Sequence, residues 1–97
     1  MGSKDAISVS VELASVLTVA TNDVSRLRVS GATLQEALDD VVVRYPGLAV
    51  HLYDESGQVR PHVLIFVNEE RLPYRRGDHV PLHKGDRVTV LQAVSGG

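Results

Sequence analysis

The sequence contains no cysteine. That excludes disulfides, thiolate metal ligands, iron–sulfur clusters and a cysteine nucleophile on this chain. Long apolar runs are also missing, and none approaches the roughly 18 residues a helix needs to span a bilayer. The opening Met1-Gly2-Ser3-Lys4-Asp5 is polar and lacks a signal-peptide apolar core. Met1-Gly2-Ser3 reads as a cloning remnant, and residues 1–5 as a flexible start. No charge of one sign dominates: 10 Lys+Arg face 12 Asp+Glu, a net charge of −2. A balance so near zero gives no strong field for nucleic acid or an anionic membrane, so neither is expected as a partner. Nothing repeats and nothing is of low complexity. What remains is a chain of 97 residues with 43% hydrophobic content, suited to one domain over 1–97 with a small core. A large cofactor cavity is not expected, no cofactor is expected to be bound, and the expected setting is the cytoplasm.

Ile7, Val9, Val11 and Leu13 alternate with Ser8, Ser10 and Glu12, the period of a half-buried strand. Val16 and Leu17 are candidates to extend it. Leu27 and Val29 alternate with Arg26, Arg28 and Ser30 after a turn signal at Thr21-Asn22-Asp23, so a hairpin is expected. Thr33-Leu34-Gln35-Glu36 fits a capping box. Leu34, Ala37, Leu38, Val41, Val42 and Tyr45 then form one helical stripe, and Pro46-Gly47 is expected to end the helix. Residues 47–61 read as a long, partly structured loop in which Leu48, Val50 and Leu52 can pack. Val63 to Val67 is a continuous apolar run that favours a strand. Asn68-Glu69-Glu70 turns the chain, Arg71-Leu72 starts a brief edge strand, and Pro73, Gly77 and Pro81 break regular structure. After Lys84-Gly85-Asp86, Arg87 to Val94 forms the last strand.

The order is strand, strand, helix, strand, short strand, strand. One helix must cover one face of a mixed sheet of four to five strands, because each needs a partner for its apolar side. This is the α+β order of the β-grasp, or ubiquitin-like, roll.

The last strand ends near Ala93 or Val94, and the sequence closes on Val94, Ser95, Gly96 and Gly97. A carboxylate is a poor electrophile until it is adenylated, and adenylation requires the terminus to enter a site in another protein. Glycine lacks a Cβ and passes a narrow channel. Four extended residues reach about 13–14 Å. The segment Val94, Ser95, Gly96 and Gly97 can thus project into and thread a partner's active site; the alternative is a disordered or accidental end.

The chain resembles the prokaryotic ubiquitin-like sulfur carriers: the small molybdopterin-synthase subunit, the thiamine sulfur carrier and, nearest, the carrier of a cysteine-synthesis route. The resemblance spans about Ile7 to Gly97. It rests on Phe66-Val67-Asn68-Glu69, Lys84-Gly85-Asp86-Arg87-Val88 and Leu91-Gln92-Ala93-Val94-Ser95-Gly96-Gly97. It implies that an E1-like adenylyltransferase/sulfurtransferase activates Gly97 with ATP and Mg²⁺, and that sulfur replaces AMP to leave a thiocarboxylate. The implied acceptor is a biosynthetic synthase, such as a PLP-dependent sulfhydrylase or a thiosugar synthase, with a metalloprotease releasing cysteine in the first case. The carrier is then not an enzyme but a co-substrate. Other readings are a molybdopterin-synthase-type subunit, a ubiquitin-like modifier that joins Gly97 to lysines, or a β-grasp interaction module with an inert tail.

A docking surface is expected on one side of the Val63–Val67 strand. Phe66, beside Leu91 or Ala93, is the candidate apolar patch; the alternative is that both sides of this strand are core, and sequence leaves the register open. His79 and His83 are four apart, but Pro81 between them places them in a loop, so no metal site is expected. Arg71, Arg75 and Arg76 form a small basic cluster that is either solvated or used in docking. Nearby Glu69, Glu70 and Asp78 argue against a nucleic-acid patch. Asp39-Asp40 reads as a solvated helix face rather than a catalytic pair.

Overall fold

The computed structural model describes residues 7–93. The expected flexible start at 1–5 and the tail 94–97 lie outside them. Strands β1 (Ser8–Leu13) and β2 (Arg26–Ser30) form the expected antiparallel hairpin. Val9, Val11, Leu13 and Val29 are buried, while the alternating serines and charged residues take the opposite face.

The segment between them differs from expectation. Ser15–Ala20 is a 3-10 helix, not an extension of β1 through Val16 and Leu17. The Ala14 N–H donates to the Val90 carbonyl at 2.9 Å, and the Leu17 N–H then turns back onto the Ala14 carbonyl at 2.8 Å. The tight turn buries Leu17 completely and leaves Val16 and Val19 exposed.

Helix α1 (Leu34–Arg44) starts at the predicted cap. The Glu36 N–H donates to the Thr33 hydroxyl at 3.2 Å. The Glu36 carboxylate accepts from the Ala32 N–H at 2.8 Å, one residue before the cap. Leu34, Ala37, Leu38 and Val41 are buried, with Val42 and Tyr45 half-buried. Asp40 accepts from the Ser30 N–H at 3.0 Å and pairs with Arg44 at 3.2 Å, and Arg44 donates to the Arg28 carbonyl at 2.8 Å. These bonds tie the β-branched last turn, which has poor intrinsic propensity, to β2.

Pro46-Gly47 ends α1 as expected, with Tyr45 as its C-cap, but helical structure resumes at once. Proline's fixed φ suits a first helical position, and the chain re-enters as a 3-10 turn (Pro46–Leu48) and a short α2 (Ala49–Leu52). Leu48 and Leu52, four apart, are buried, whereas Val50 is exposed. The first part of the segment read as a partly structured loop, through Leu52, is therefore helical and covers the core, and Tyr53 and Val59 form an isolated bridge after it.

Strands β3 (Val63–Val67), β4 (Glu70–Leu72) and β5 (Arg87–Gln92) complete the sheet. Its order is β2-β1-β5-β3-β4. β5 runs parallel to β1 and antiparallel to β3. β5 ends two residues before the expected Val94, which lies outside the described residues. Among the described residues no helix is long and apolar enough to cross a membrane.

One glycine is set by close packing. A Cβ on Gly31 would lie 2.6 Å from the Ala37 backbone nitrogen, so β2 leaves the sheet against the backbone of α1 itself. Gly31→Ala is expected to lower stability by about 1–3 kcal/mol, the range for overpacking. Gly47→Ala, whose added Cβ meets nothing nearer than 4.0 Å, should change it little. Urea midpoints of the two variants check this.

Candidate functional site

β5 leads the chain toward its C-terminal residues, and β3 beside it sets what surrounds the exit. The register pairs Leu64 with Leu91, Ile65 with Val90 and Phe66 with Thr89. Directly opposed residues share a face, so the sheet sorts them. Val63, Ile65, Val88 and Val90 are buried on the α1 side. Leu64, Phe66, Thr89 and Leu91 take the open side. Ala93 follows by alternation, and its N–H extends the ladder to the His62 carbonyl at 2.8 Å.

Of the two possibilities left open by sequence, the structure thus gives the less buried set to Phe66 and Leu91. Leu91 is 36% exposed, Phe66 and Leu64 are half-buried and Ala93 is exposed. Phe66, Asn68, Glu69, Thr89 and Leu91 line a shallow hollow of about 280 Å³. The β1–β2 half of the same face is polar, with Arg26 and Glu12 paired at 3.2 Å. Arg87 and Glu69 approach at 3.7 Å on the rim. Leu64 shares the face of Phe66 by alternation along the strand, as sequence already implies; sequence missed Thr89, because its membership depends on register. Val94, Ser95, Gly96 and Gly97 lie outside the described residues.

The polar residues of the hairpin motif are braces rather than reactive groups. Asn68 adopts a left-handed conformation (φ 61°), which asparagine tolerates in turns. Its side chain donates to Asp86 at 3.2 Å and accepts from the Arg87 N–H at 3.1 Å. Asp86 also accepts from the His83 N–H at 2.8 Å. Gly85, at φ 86°, makes the tight turn that lets this happen, a conformation costly for other residues. The His83 N–H, and then the Asn68 amide, hold the Asp86 carboxyl below its ordinary range. The network locks the β3–β4 turn to the start of β5, so Phe66 and Thr89 stay opposed.

Other candidates disperse. Arg76 stacks over the Tyr53 ring at 5.0 Å, away from docking work. Tyr53 is buried, its hydroxyl has no partner, and desolvation pushes its pKa up to about 12. Asp39 accepts from Gln35 at 2.9 Å and Asp40 serves the helix–strand ties, so the two carboxylates form no pair. Among the described residues no three His, Cys, Asp or Glu side chains converge as metal ligands.

Fold and site together define a β-grasp, ubiquitin-like protein, whose open sheet face borders the exit of its last strand. The ThiS family model matches residues 11–97, and the chain belongs to that family. It is 32% identical over 93 residues to the sulfur carrier protein CysO of Mycobacterium tuberculosis, covering 94% of this chain and 100% of CysO. A chain of the Amycolatopsis orientalis BexX/CysO complex matches with a TM-score of 0.79 at 30% identity, covering 92% of this chain and 99% of that one. The small archaeal modifier protein 1 of Haloferax volcanii matches with a TM-score of 0.80 at 25% identity, over 93% and 99% of the two chains.

Asp86→Ala is expected to cost about 1–3 kcal/mol at neutral pH, because it removes hydrogen bonds to a charged acceptor. The Asp86 pKa is depressed in the folded state from an ordinary 3.8. Its stabilisation is therefore complete above 3.8 and is lost as pH falls through the lower folded value. Urea unfolding of wild type and variant should show a constant gap from pH 7 to pH 5 that narrows below pH 3.8.

Proposed function

We propose that this chain is a sulfur carrier whose Gly97 carboxylate is the working group. The observation that carries the reading is the family match running through Gly97, on a strand that leads past an open apolar face. CysO carriers are its relatives by sequence, and the Amycolatopsis CysO occurs in a complex with a second protein. That is the kind of association an exposed docking face serves.

The chemistry follows from what the chain has and lacks. An E1-like partner holds ATP and Mg²⁺. The Gly97 carboxylate attacks the α-phosphorus and pyrophosphate leaves, giving an acyl-adenylate. Hydrosulfide then adds at the carbonyl carbon. The bond to AMP breaks, AMP leaves with the electron pair, and a thiocarboxylate remains with one oxygen exchanged for sulfur. The carrier needs no general base, since the leaving group has been activated by the partner. Gly96, Ser95 and Val94 thread the partner's channel, while Phe66, Leu91 and Ala93, joined by Leu64, supply the docking patch. The acceptor is a biosynthetic synthase. In the cysteine route the thiocarboxylate adds to an aminoacrylate held by a PLP-dependent sulfhydrylase, an S-to-N shift follows, and a metalloprotease releases cysteine. A thiosugar synthase would draw on the same thiocarboxylate. The setting is the cytoplasm.

The test is intact-protein mass spectrometry after incubation with ATP, Mg²⁺, sulfide and the E1-like enzyme of the same source. Replacement of one oxygen by sulfur, placed at Gly97 by fragmentation and absent after Gly97 deletion, is expected. No change with an enzyme active on its own carrier overturns the reading. A lysine isopeptide to other proteins would assign the chain to modification instead. Phe66→Asp and Leu91→Asp should each lower adenylation at limiting carrier by about tenfold, as loss of a central apolar anchor does, and the fold should persist because neither side chain belongs to the buried core.

A further inference from the structure

A second concavity, of about 290 Å³, opens at the β4 edge of the sheet. Val63, Ile65 and Leu72 give it apolar walls, and Arg60, Arg71 and Arg75 also line it, with no carboxylate residue among the lining. Val63 and Ile65 are core residues, 7% and 3% exposed, so the cleft reaches the core layer.

A protein of net charge −2 here gathers three arginines, of which Arg60 also faces Asp54, while Arg71 and Arg75 have no acid in the lining. None of the three pairs with a carboxylate among the described residues. Two candidate counter-charges are already used elsewhere. Asp78 accepts from the Arg75 backbone N–H at 2.9 Å, and Glu69 lies against Arg87. Arg60 donates through Nε to the Val50 carbonyl at 2.9 Å, which restrains its guanidinium. Unpaired surface arginine is cheap to solvate, so charge alone argues little. The argument comes from its coincidence with two other features. One is an apolar cleft that reaches the core. The other is the sheet edge: β4 is outermost, and no described strand pairs with its far side. An unpaired edge is a template for an added strand.

The cleft also lies beside the exit of β5. Val63 follows His62 directly, and the His62 carbonyl accepts from the Ala93 N–H. The apolar wall of the cleft lies on the face opposite the Phe66–Leu91 hollow, since Ile65 and Leu72 pair on the inner side, while Arg71, which opposes Phe66, lines the cleft from the edge strand.

We infer that the β4-edge cleft is a second docking site, for an extended acidic segment of a partner protein. An aliphatic side chain of that segment enters the cleft, its neighbouring carboxylates meet Arg71 and Arg75, and its backbone runs along β4. A bare inorganic anion would leave the apolar walls unused. Nucleic acid is disfavoured by Glu69 and Glu70 at the adjoining turn. The site does not depend on the chemistry of Gly97.

The test is selection of random dodecapeptides by phage display on the full chain, followed by NMR amide mapping of the selected peptides. Selected sequences should alternate Asp or Glu with aliphatic residues and shift the amides of Arg60 and residues 71–75. Arg71→Glu/Arg75→Glu should weaken them by about tenfold or more, Arg71→Gln/Arg75→Gln by less, and Leu91→Asp, on β5 away from β4, should leave them unchanged. The glutamine pair keeps the test decisive if the reversed pair does not fold. The inference is overturned by selection without acidic enrichment, by binding that maps to the Phe66–Leu91 face, or by binding that survives charge reversal. It is also overturned if pyrophosphate or a single-stranded oligonucleotide shifts the same amides as strongly.

Discussion

β5 is hydrogen-bonded on both flanks, parallel to β1 from Arg87 to Val90 and antiparallel to β3 through Gln92. Everything else in the architecture follows from that double pairing. A residue pinned on two sides has no register to slip into, and a slip of one position would exchange the sheet's two faces. Val88 and Val90 are therefore committed to α1, and Thr89 and Leu91 to the open side. The same pairing sets the direction in which the chain leaves the sheet. A terminal group delivered from a central strand is aimed by the whole sheet rather than by one loop.

The network of Asn68, Asp86 and Arg87 gives this commitment a local anchor. It closes the end of β5 away from the exit and holds the β3–β4 turn against it. Motif residues that look chemical in sequence are thus conformational. Asn68 tolerates a left-handed backbone, Gly85 makes the turn, and Asp86 gathers N–H groups. In the proposed function, reactivity sits with the terminal glycine and the partner enzyme. That division fits a chain whose core is small aliphatic side chains and whose open face carries no cluster of acids or bases.

Much of the fold was legible because local signals agreed. The alternation of β1, the Thr33–Glu36 cap and the stripe from Leu34 to Tyr45 each named an element and its buried side, and the order of elements named the roll. Two readings went astray for one reason. Leu13 and Leu17, like Leu48 and Leu52, are four apart, and short helical turns bury such pairs while β-branched Val16 and Val50 between them point outward. Val16 next to Leu17 looked like continued strand, and the residues after Pro46-Gly47, which does end α1, looked like loop, because one turn contains too few residues to reveal a period. The candidate site was legible as a list, Phe66, Leu91 and Ala93, but not as a surface. Leu64 joins by alternation with Phe66, but Thr89 joins only through cross-strand pairing, which sequence does not contain. The arginine cluster read from sequence was also redistributed: Arg76 is taken by Tyr53, while Arg60, sixteen residues before it in the chain, joins Arg71 and Arg75 at the cleft.

A carrier has to leave each partner after every transfer, and this sets an upper limit on how well any one surface should bind. The hollow around Phe66 and Leu91 is shallow, and half of its face is polar. An apolar contact of that size falls well short of the roughly 800 Å² per partner of a standard stable interface. Affinity must then come from adding separate weak contacts on one rigid body. Once one contact forms, the next is intramolecular, and its effective concentration replaces the need for a larger patch. Dissociation needs only that the contacts open in turn. A strand exit bordered by an apolar hollow on one face and a basic cleft on the other satisfies both demands. The tail is held long enough to react, different partners can weight the two flanks differently, and no single flank binds tightly enough to trap the carrier.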